Sequence, residues 1–343
     1  MKRRTIVATA PRVIEWQEED LAAPTGSQVL VRSERSVAKH GTEMAGYLGA
    51  MNTRGAFDAD LQVFAMPGQP PASYRFPLGN MYVGLVEAAG PDVTGFAAGD
   101  RVFGYGAFSD YHLADASALR RLREGVSSDD VFCWDPAQFA LGAVRDGHVR
   151  VGDYVAVFGT GAIGLMTIQL ARVAGASRVV AVEPLANRRE LAATLGADRV
   201  FDPAAVDAGR LIKEETGGRG ADVCIDFSGS HRALQAAIRA CALGGTVAYG
   251  AFPKPFAAGL DLGAEAHLNT VNVVFTRACT EPNRDHPRWD FARIMEESLR
   301  LLEGGIVTGR GIVTPEVPFG ELAREYPKIE TEPDTYIKLA VRH

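Results

Sequence analysis

A glycine-rich turn is the first feature of this sequence that could do chemistry. Residues 155–164, VAVFGTGAIG, place Gly159, Gly161 and Gly164 in a G-x-G-x-x-G pattern after an apolar run. In a dinucleotide-binding turn the first glycine allows the tight turn, the second lets a pyrophosphate approach the main chain, and the third lets the helix pack closely on the strand. The whole turn is therefore predicted to bind a cofactor: Gly159, Thr160, Gly161, Ala162, Ile163 and Gly164.

An acid after the next apolar run indicates which dinucleotide is bound. Glu183 follows Gly164 by nineteen residues, where a carboxylate can accept hydrogen bonds from the adenosine ribose hydroxyls. Its charge would also repel a 2′-phosphate, so Glu183 favours NAD over NADP. Arg188 and Arg189 are the opposing signal, because they could hold that phosphate or equally lie on the solvated start of a helix.

The elements around this turn alternate between strand and helix from about residue 138. Apolar residues at spacings of three and four from Ile163 to Val173 predict a helix that packs on a sheet. This alternation is typical of a doubly wound parallel sheet. Strands are expected at 154–158, 179–183, 223–227, 246–250 and 271–275. Residues that follow later strands are expected to line the nucleotide crevice: Ser228, Gly250 and Thr276.

The first 130 residues have a different pattern. Short β-rich runs, such as QVLVRS at 28–33, alternate with glycine and proline turns and predict a small, mainly β domain. A length of 343 residues suits two domains. The expected boundaries are a β-rich catalytic domain at 1–137, a dinucleotide-binding domain at 138–285, and a C-terminal segment at 286–343 that returns to the first domain.

Composition excludes several classes of function. A net charge of -6 without a run of lysine or arginine argues against a nucleic-acid partner. No stretch of 18 apolar residues is present, and the N-terminal apolar run breaks at Pro11 and Arg12, so we expect no membrane association and a cytoplasmic location. Four dispersed cysteines without a C-x-x-C pair are predicted to be reduced, buried thiols: Cys133, Cys224, Cys241 and Cys279.

Sequence blocks across nearly the whole chain resemble the medium-chain dehydrogenase/reductase superfamily. They are GDRVFG at 99–104, GDYVAVFGTGAIGLMTIQLARVAGA at 152–176, LGADRVFDP at 195–203 and ADVCIDFSGS at 221–230. The resemblance is greatest to the zinc alcohol and polyol dehydrogenase branch. It implies an α/β fold with a GroES-like β-rich catalytic domain and a Rossmann domain. It also implies a homodimer or homotetramer that associates through the β-branched run at 270–275.

Three blocks that supply zinc ligands in that family are altered here. His40 stands in place of a cysteine in HGTE, Asn80 and Met81 replace histidine and glutamate in GNMYVG, and Asp135 matches the glutamate of a Glu-Pro pair. Catalytic zinc needs three good protein ligands, and the neutral amide oxygen of an asparagine is a poor ligand for zinc. We therefore predict no zinc, with a weak His40/Asp135 site as the alternative.

Without a metal, a side chain must accept the proton that an alcohol loses. The resemblance implies that His40 transfers this proton, assisted by Thr42 and oriented by Asp135, with Lys39 as the nearest competitor. Lys338 resembles the basic residue that reaches the cofactor pyrophosphate from the C-terminal segment.

Three functions remain open at this point. The first is a zinc-independent NAD(P) oxidoreductase that moves a hydride between nicotinamide and a carbonyl or secondary alcohol, with a small sugar- or polyol-like substrate. The second is a zinc-free quinone or enoyl reductase, which the retained Thr42 and Asp135 disfavour. The third is a non-catalytic nucleotide-binding protein.

Polar residues in the segment 51–76 could contact the substrate: Asn52, Arg54, Gln62 and Gln69.

Overall fold

The chain divides into two compact units. One consists of Met1–Ser128 and Val313–His343, and the other of Asp129–Ile312. The computed structural model describes residues 1–49, 55, 57–64, 74–252, 255–256 and 258–343. Within these ranges no helix has the length and apolar character needed to span a membrane.

The first unit is built mainly from antiparallel strands. A three-stranded sheet has the order β2-β1-β6, and a seven-stranded sheet has the order β10-β8-β7-β3-β18-β17 with β9 also paired to β3. The strands are β1 Lys2–Ala10, β2 Val13–Asp20, β3 Gln28–Val37, β4 Phe57–Asp58, β5 Val63–Phe64, β6 Phe76–Pro77, β7 Met81–Ala89, β8 Arg101–Tyr105, β9 Tyr111–Asp115, β10 Arg120–Arg121, β17 Glu316–Pro318 and β18 Ala340–Arg342. Its helices are α1 His40–Tyr47, α9 Leu322–Glu325 and α10 Lys328–Thr331.

The C-terminal strand of this unit lies against the end of β3. β18 pairs with β3 in antiparallel register, with Ala340 opposite Val37. The N–H of Ala38 also donates to the carbonyl of Leu339 over 3.0 Å. Since α1 begins at His40, this pairing places the last residues of the chain beside the first turn of α1.

The second unit contains a six-stranded parallel sheet in the order β13-β12-β11-β14-β15-β16. The strands are β11 Tyr154–Phe158, β12 Arg178–Val182, β13 Arg199–Phe201, β14 Ala221–Asp226, β15 Cys241–Tyr249 and β16 Asn272–Phe275. The helices are α2 Ser128–Phe132, at the start of the unit, α3 Trp134–Asp146, α4 Ala162–Val173, α5 Ala186–Thr194, α6 Ala208–Glu215, α7 His231–Ala240 and α8 Phe291–Glu303. This is the Rossmann arrangement that the sequence predicts, with β13 as an additional short strand.

The unit boundaries differ from the expected ones at 137 and 285. Residues 129–137 belong with the second unit because Asp130 Oδ1 accepts hydrogen bonds from Thr308 Oγ1 at 3.0 Å and from the N–H of Gly309 at 2.7 Å. Residues 286–312 belong there as well, since α8 packs on α3 and buries Ile294 and Leu301. The return to the first unit therefore begins at Val313.

Candidate active site

Backbone geometry and packing explain the first and third glycines of the predicted cofactor turn. Gly159 has a φ of +82°, and a Cβ there would lie 2.7 Å from the Cα of Ser228. A Cβ on Gly164 would lie 1.9 Å from the carbonyl oxygen of Gly159. A Cβ on Gly161 would approach just one described side-chain atom, Nη1 of Arg188 at 4.0 Å. The first and third positions are thus fixed by packing, while the second leaves the main chain open to a ligand.

The helix that follows the turn begins with unused hydrogen-bond donors. α4 starts at Ala162 after Gly161, and in the part of the chain that the structure describes no side chain caps it. The first N–H groups of a helix have no partner within the helix, and they carry partial positive charge. This end of α4 can therefore hold a pyrophosphate. The glycine turn and the start of α4 are thus suited to bind a dinucleotide.

Glu183 both supports the turn and offers an acceptor. It follows β12 with 4% exposure, and its Oε2 accepts the N–H of Thr160 over 2.7 Å. Oε1 accepts the N–H of Leu185 over 3.2 Å. A carboxylate oxygen has two lone pairs, so Oε1 can still accept a hydrogen bond from a ribose hydroxyl.

The two arginines downstream of Glu183 have different surroundings. Arg189 Nη1 donates to the carbonyls of Glu183 at 2.8 Å and Pro184 at 2.6 Å, and Nη2 lies 3.2 Å from a carboxylate oxygen of Asp202. These contacts hold Arg189 in the structure of the β12–α5 connection. Arg188 is the residue whose guanidinium lies beside the glycine turn.

Residues after the later strands are closely packed, and their contact with the cofactor stays a prediction. Ser228 lies against Gly159. A Cβ on Gly250 would lie 2.3 Å from the ring of Phe227 and 3.0 Å from Cγ2 of Thr276, so the chain is closely packed there. Gly250 also donates its N–H to the carbonyl of Asp226 over 3.0 Å.

Asp226 is a residue that the sequence analysis missed. It ends β14 with no exposed surface, and its Oδ1 accepts the N–H of Ser228 over 2.7 Å. Its Oδ2 is buried without a hydrogen-bond partner among the described residues. Burial raises the pKa of this carboxyl to about 6. An acid that ends an apolar run, as in VCID, is the signal that could have identified it.

The first unit contains a second group of predicted residues. His40 is the first residue of α1, and its Nε2 accepts the N–H of Leu339 over 2.9 Å. Lys338 is 2% exposed, and its Nζ donates to the carbonyl of Ala38 over 2.8 Å. Thr42 is exposed on the first turn of α1. The structure thus brings His40 and Lys338 together at the start of one helix, and the pyrophosphate contact of Lys338 stays a prediction.

Glu43, one residue after Thr42, is a second buried acid that the sequence analysis did not single out. Its Oε1 accepts hydrogen bonds from Tyr326 Oη at 2.7 Å and from the N–H of Gly79 at 2.9 Å. Its Oε2 accepts the N–H of Lys39 over 2.8 Å. Burial raises the pKa of Glu43, although these hydrogen bonds and the charge of Lys338 oppose the rise. The carboxyl fixes the loop before α1 to the loop before β7.

The remaining predicted residues lie elsewhere. Asp135 belongs to the second unit, where it is buried in the first turn of α3. Gln62 lies between β4 and β5 with a φ of +54°. The other candidates for substrate contact lie outside the described residues: Asn52, Arg54 and Gln69. Within the described ranges, no three histidine, cysteine, aspartate or glutamate side chains are grouped as metal ligands would be.

Comparisons with known proteins place this chain among dehydrogenases. The family model for zinc-binding dehydrogenases matches residues 162–282. D-guloside 3-dehydrogenase of Escherichia coli K12 is 43% identical over 98% of this chain and 99% of its own length. The chain belongs to the medium-chain dehydrogenase/reductase superfamily.

Solved structures of the same fold cover the full chain. An Escherichia coli oxidoreductase of unknown specificity aligns with a TM-score of 0.80 at 19% identity, covering 100% of this chain and 99% of that one. The 2R,3R-butanediol dehydrogenase of Bacillus subtilis aligns with a TM-score of 0.77 at 22% identity over 99% of both chains. These likenesses confirm the predicted fold class of a β-rich domain with a Rossmann domain.

The family settles the general activity. The protein is a dehydrogenase that acts on a CH–OH group of a small molecule and uses a nicotinamide cofactor. This confirms the oxidoreductase acting on an alcohol among the three functions considered from sequence. When bound, the nicotinamide supplies the hydride acceptor or donor.

Proposed function

We propose that this protein is a zinc-independent, NAD-linked dehydrogenase that oxidises a secondary ring hydroxyl of a sugar glycoside to a ketone. The observation that carries the proposal is the 43% identity to D-guloside 3-dehydrogenase over 98% of the chain. Such identity over both units supports a similar substrate class, a hexopyranoside oxidised at C3.

The oxidation divides into a hydride and a proton. The hydride leaves the carbon of the alcohol for the nicotinamide, the hydroxyl proton passes to a base, and the C–O bond becomes C=O. His40 is the proposed proton-transfer group, assisted by Thr42 and oriented by Asp135. The N–H of Leu339 donates a hydrogen bond to Nε2 of His40. This hydrogen bond must break before Nε2 can take up a proton.

Preference for NAD is supported by the position of Glu183. Its carboxylate lies at the end of β12 next to the turn, where it can accept a hydrogen bond from a ribose hydroxyl and repel a 2′-phosphate. Arg188 beside Gly161 is the group that would favour NADP instead.

Independence from zinc is supported by the chemistry of the side chains at the ligand positions. Met81 is wholly buried in the first unit and offers a thioether where the zinc enzymes have a carboxylate. Asn80 offers a neutral amide oxygen, a poor zinc ligand, where the zinc enzymes have an imidazole. These residues do not fit a three-ligand zinc site.

Self-association through β16 is part of the same proposal. This strand forms one edge of the parallel sheet in the described chain. Phe275 is 70% exposed and Val273 is 39% exposed. An exposed apolar edge strand favours pairing with another copy, which supports a dimer or a tetramer.

The substrate class is tested by following NADH formation with methyl D-gulosides and methyl D-glucosides, in parallel with NADP⁺. Free polyols, butanediol and, in the reductive direction, enones and quinones complete the panel. Oxidation of glycosides with retention of the glycosidic bond, and a keto product by mass spectrometry, supports the proposal. Turnover limited to enones or quinones would sink it.

The metal is tested separately. Protein purified without added metal should contain well under one zinc per chain, and its activity should survive dialysis against a chelator. One tightly held zinc per chain whose removal abolishes turnover would contradict zinc independence.

A further inference from the structure

Asn80 is held rigidly at the point where the zinc enzymes have a histidine ligand. Its N–H donates to the carbonyl of Val37 over 2.8 Å, and its carbonyl accepts the N–H of Gly106 over 3.0 Å. The preceding Gly79 has a φ of +108°, and a Cβ there would lie 2.3 Å from the N of Phe108. The main chain therefore fixes the position of Asn80 and the direction of its Cα–Cβ bond.

One carboxylate connects Asn80 to the helix that carries His40. Glu43 accepts the N–H of Gly79, the residue before Asn80, and the N–H of Lys39, the residue before His40. Both N–H groups thus lie within 2.9 Å of oxygens of a single buried side chain. Glu43 therefore connects the main chain next to Asn80 with the main chain next to His40 within the first unit.

The side-chain amide of Asn80 has a donor without an acceptor among the described residues. Its Nδ2 is buried, and no hydrogen-bond acceptor for it lies among the residues that the structure describes. Buried polar groups are usually paired, and an unpaired one in a native structure requires an explanation. An amide nitrogen donates and does not accept, so the missing partner is an oxygen or another acceptor atom.

We propose that the Asn80 amide donates a hydrogen bond to the substrate oxygen that becomes the carbonyl oxygen during hydride transfer. This inference rests on the proposed function. As the hydroxyl proton leaves and the hydride moves to the nicotinamide, negative charge develops on that oxygen before the C=O bond is complete. A fixed donor in a water-poor site stabilises such charge. Asn80 then supplies, by hydrogen bonding, stabilisation that a zinc ion supplies in other family members.

The polar groups at the start of α1 have other hydrogen bonds that make them less suited to this role. Nε2 of His40 accepts the N–H of Leu339, and Nζ of Lys338 donates to the carbonyl of Ala38. His40 fits proton transfer, whereas Asn80 cannot gain or lose a proton at working pH. The two residues therefore divide the work: one moves the proton and the other binds the oxygen.

The decisive variant is Asn80→Asp, which keeps the size of the side chain but replaces the donor by an acceptor. We expect kcat for glycoside oxidation to fall about 100-fold or more, with the Kd for NADH close to wild type. Asn283→Asp makes the same chemical change in the second unit, where the Asn283 side-chain oxygen accepts the N–H of Asp285. This control should retain wild-type kcat.

The same variant separates a hydrogen-bond donor from a metal ligand. A carboxylate binds zinc better than an amide does, so a zinc enzyme would keep its activity and hold more zinc in Asn80→Asp. That result would overturn the inference. Asn80→Ser, which retains a small donor, should keep more kcat than Asn80→Ala at equal NADH affinity, and equal kcat in these two variants would also count against the role.

The outcomes distinguish this inference from the function on which it rests. A wild type that oxidises no alcohol with either cofactor overturns both. A wild type that oxidises glycosides beside an equally active Asn80→Asp overturns the role of Asn80 alone.

Discussion

The main-chain N–H of Leu339 donates a hydrogen bond to Nε2 of His40 over 2.9 Å, joining residues 299 positions apart in the chain. A backbone N–H can act only as a donor, so Nε2 carries no proton and the ring hydrogen lies on Nδ1. The C-terminal segment therefore holds His40 in one neutral tautomer. Any proton taken up by this ring at Nε2 displaces Leu339.

His40 is expected to be essential for turnover and unimportant for cofactor binding. General acid–base catalysis is typically worth about 10² to 10⁴ in rate, so His40→Ala should lower kcat by roughly two or more orders of magnitude. The Kd for NADH, measured by fluorescence titration, should change little. Lys39→Ala is the matched control at the adjacent position, since a desolvated lysine can also transfer protons. Activity lost in Lys39→Ala and kept in His40→Ala would move the role by one residue.

Local patterns in the sequence predicted the Rossmann unit well. The glycine spacing and the apolar period act over a few residues, and the turn at Gly159 and the helix at Ala162–Val173 lie where these patterns place them. The five expected strands correspond to β11, β12, β14, β15 and β16.

Contacts between distant segments could not be predicted in the same way. Tyr326 reaches Glu43 from 283 residues away, and Lys338 reaches Ala38 from 300 residues away. No local spacing encodes such pairs, because they arise only when β18 pairs with β3. The boundary of the second unit at Val313 is a similar case. It depends on the packing of α8 against α3, which are far apart in the chain.

Removing the charge of Glu183 should shift cofactor preference towards NADP. Glu183→Gln keeps an oxygen that can accept the N–H of Thr160 but no longer repels a 2′-phosphate. We expect the ratio of the Kd for NADPH to the Kd for NADH to fall by about tenfold, equivalent to roughly 1.4 kcal/mol. Arg188→Gln should leave the Kd for NADH unchanged. The contrary result has two parts: the ratio is unaltered in Glu183→Gln, and the wild type prefers NADPH but Arg188→Gln does not. That result would show that Arg188 sets the preference.

Charges placed on the edge strand should separate the subunits. The double variant Val273→Lys and Phe275→Lys puts two like charges on β16, where wild-type residues are exposed and apolar. Light scattering should show a dimer or tetramer for the wild type and, for this variant, a monomer or a dimer respectively. Val151→Lys is the control, because Val151 is 88% exposed outside any strand. A wild type that is monomeric at all concentrations would refute association through β16.

Two buried groups should give the stability of the protein opposite dependences on pH. His112 is 8% exposed and stacks on Tyr82 with 3.5 Å between ring centroids. Burial lowers its pKa to about 3. The unfolded state binds a proton below about pH 6.5 and the folded state does not until about pH 3, so the contribution of His112 falls as the pH drops through this window. The slope is at most about 1.4 kcal/mol per pH unit.

Asp226 acts in the other direction, because burial raises the pKa of its carboxyl to about 6. Between about pH 4 and pH 6 the folded state binds the proton and the unfolded state does not. The contribution of Asp226 to stability is therefore greatest below about pH 4 and is lost as the pH rises through 6, by about 3 kcal/mol in total. Asp226→Asn keeps the acceptor for the N–H of Ser228 and removes the charge. Its urea midpoint relative to wild type should be higher at pH 7.5 than at pH 4.5. His112→Phe retains a ring that can stack on Tyr82. Its urea midpoint relative to wild type should instead be higher at pH 4.5 than at pH 7.5. A difference between Asp226→Asn and wild type that does not change with pH would show that Asp226 is ionised in the folded protein throughout this range.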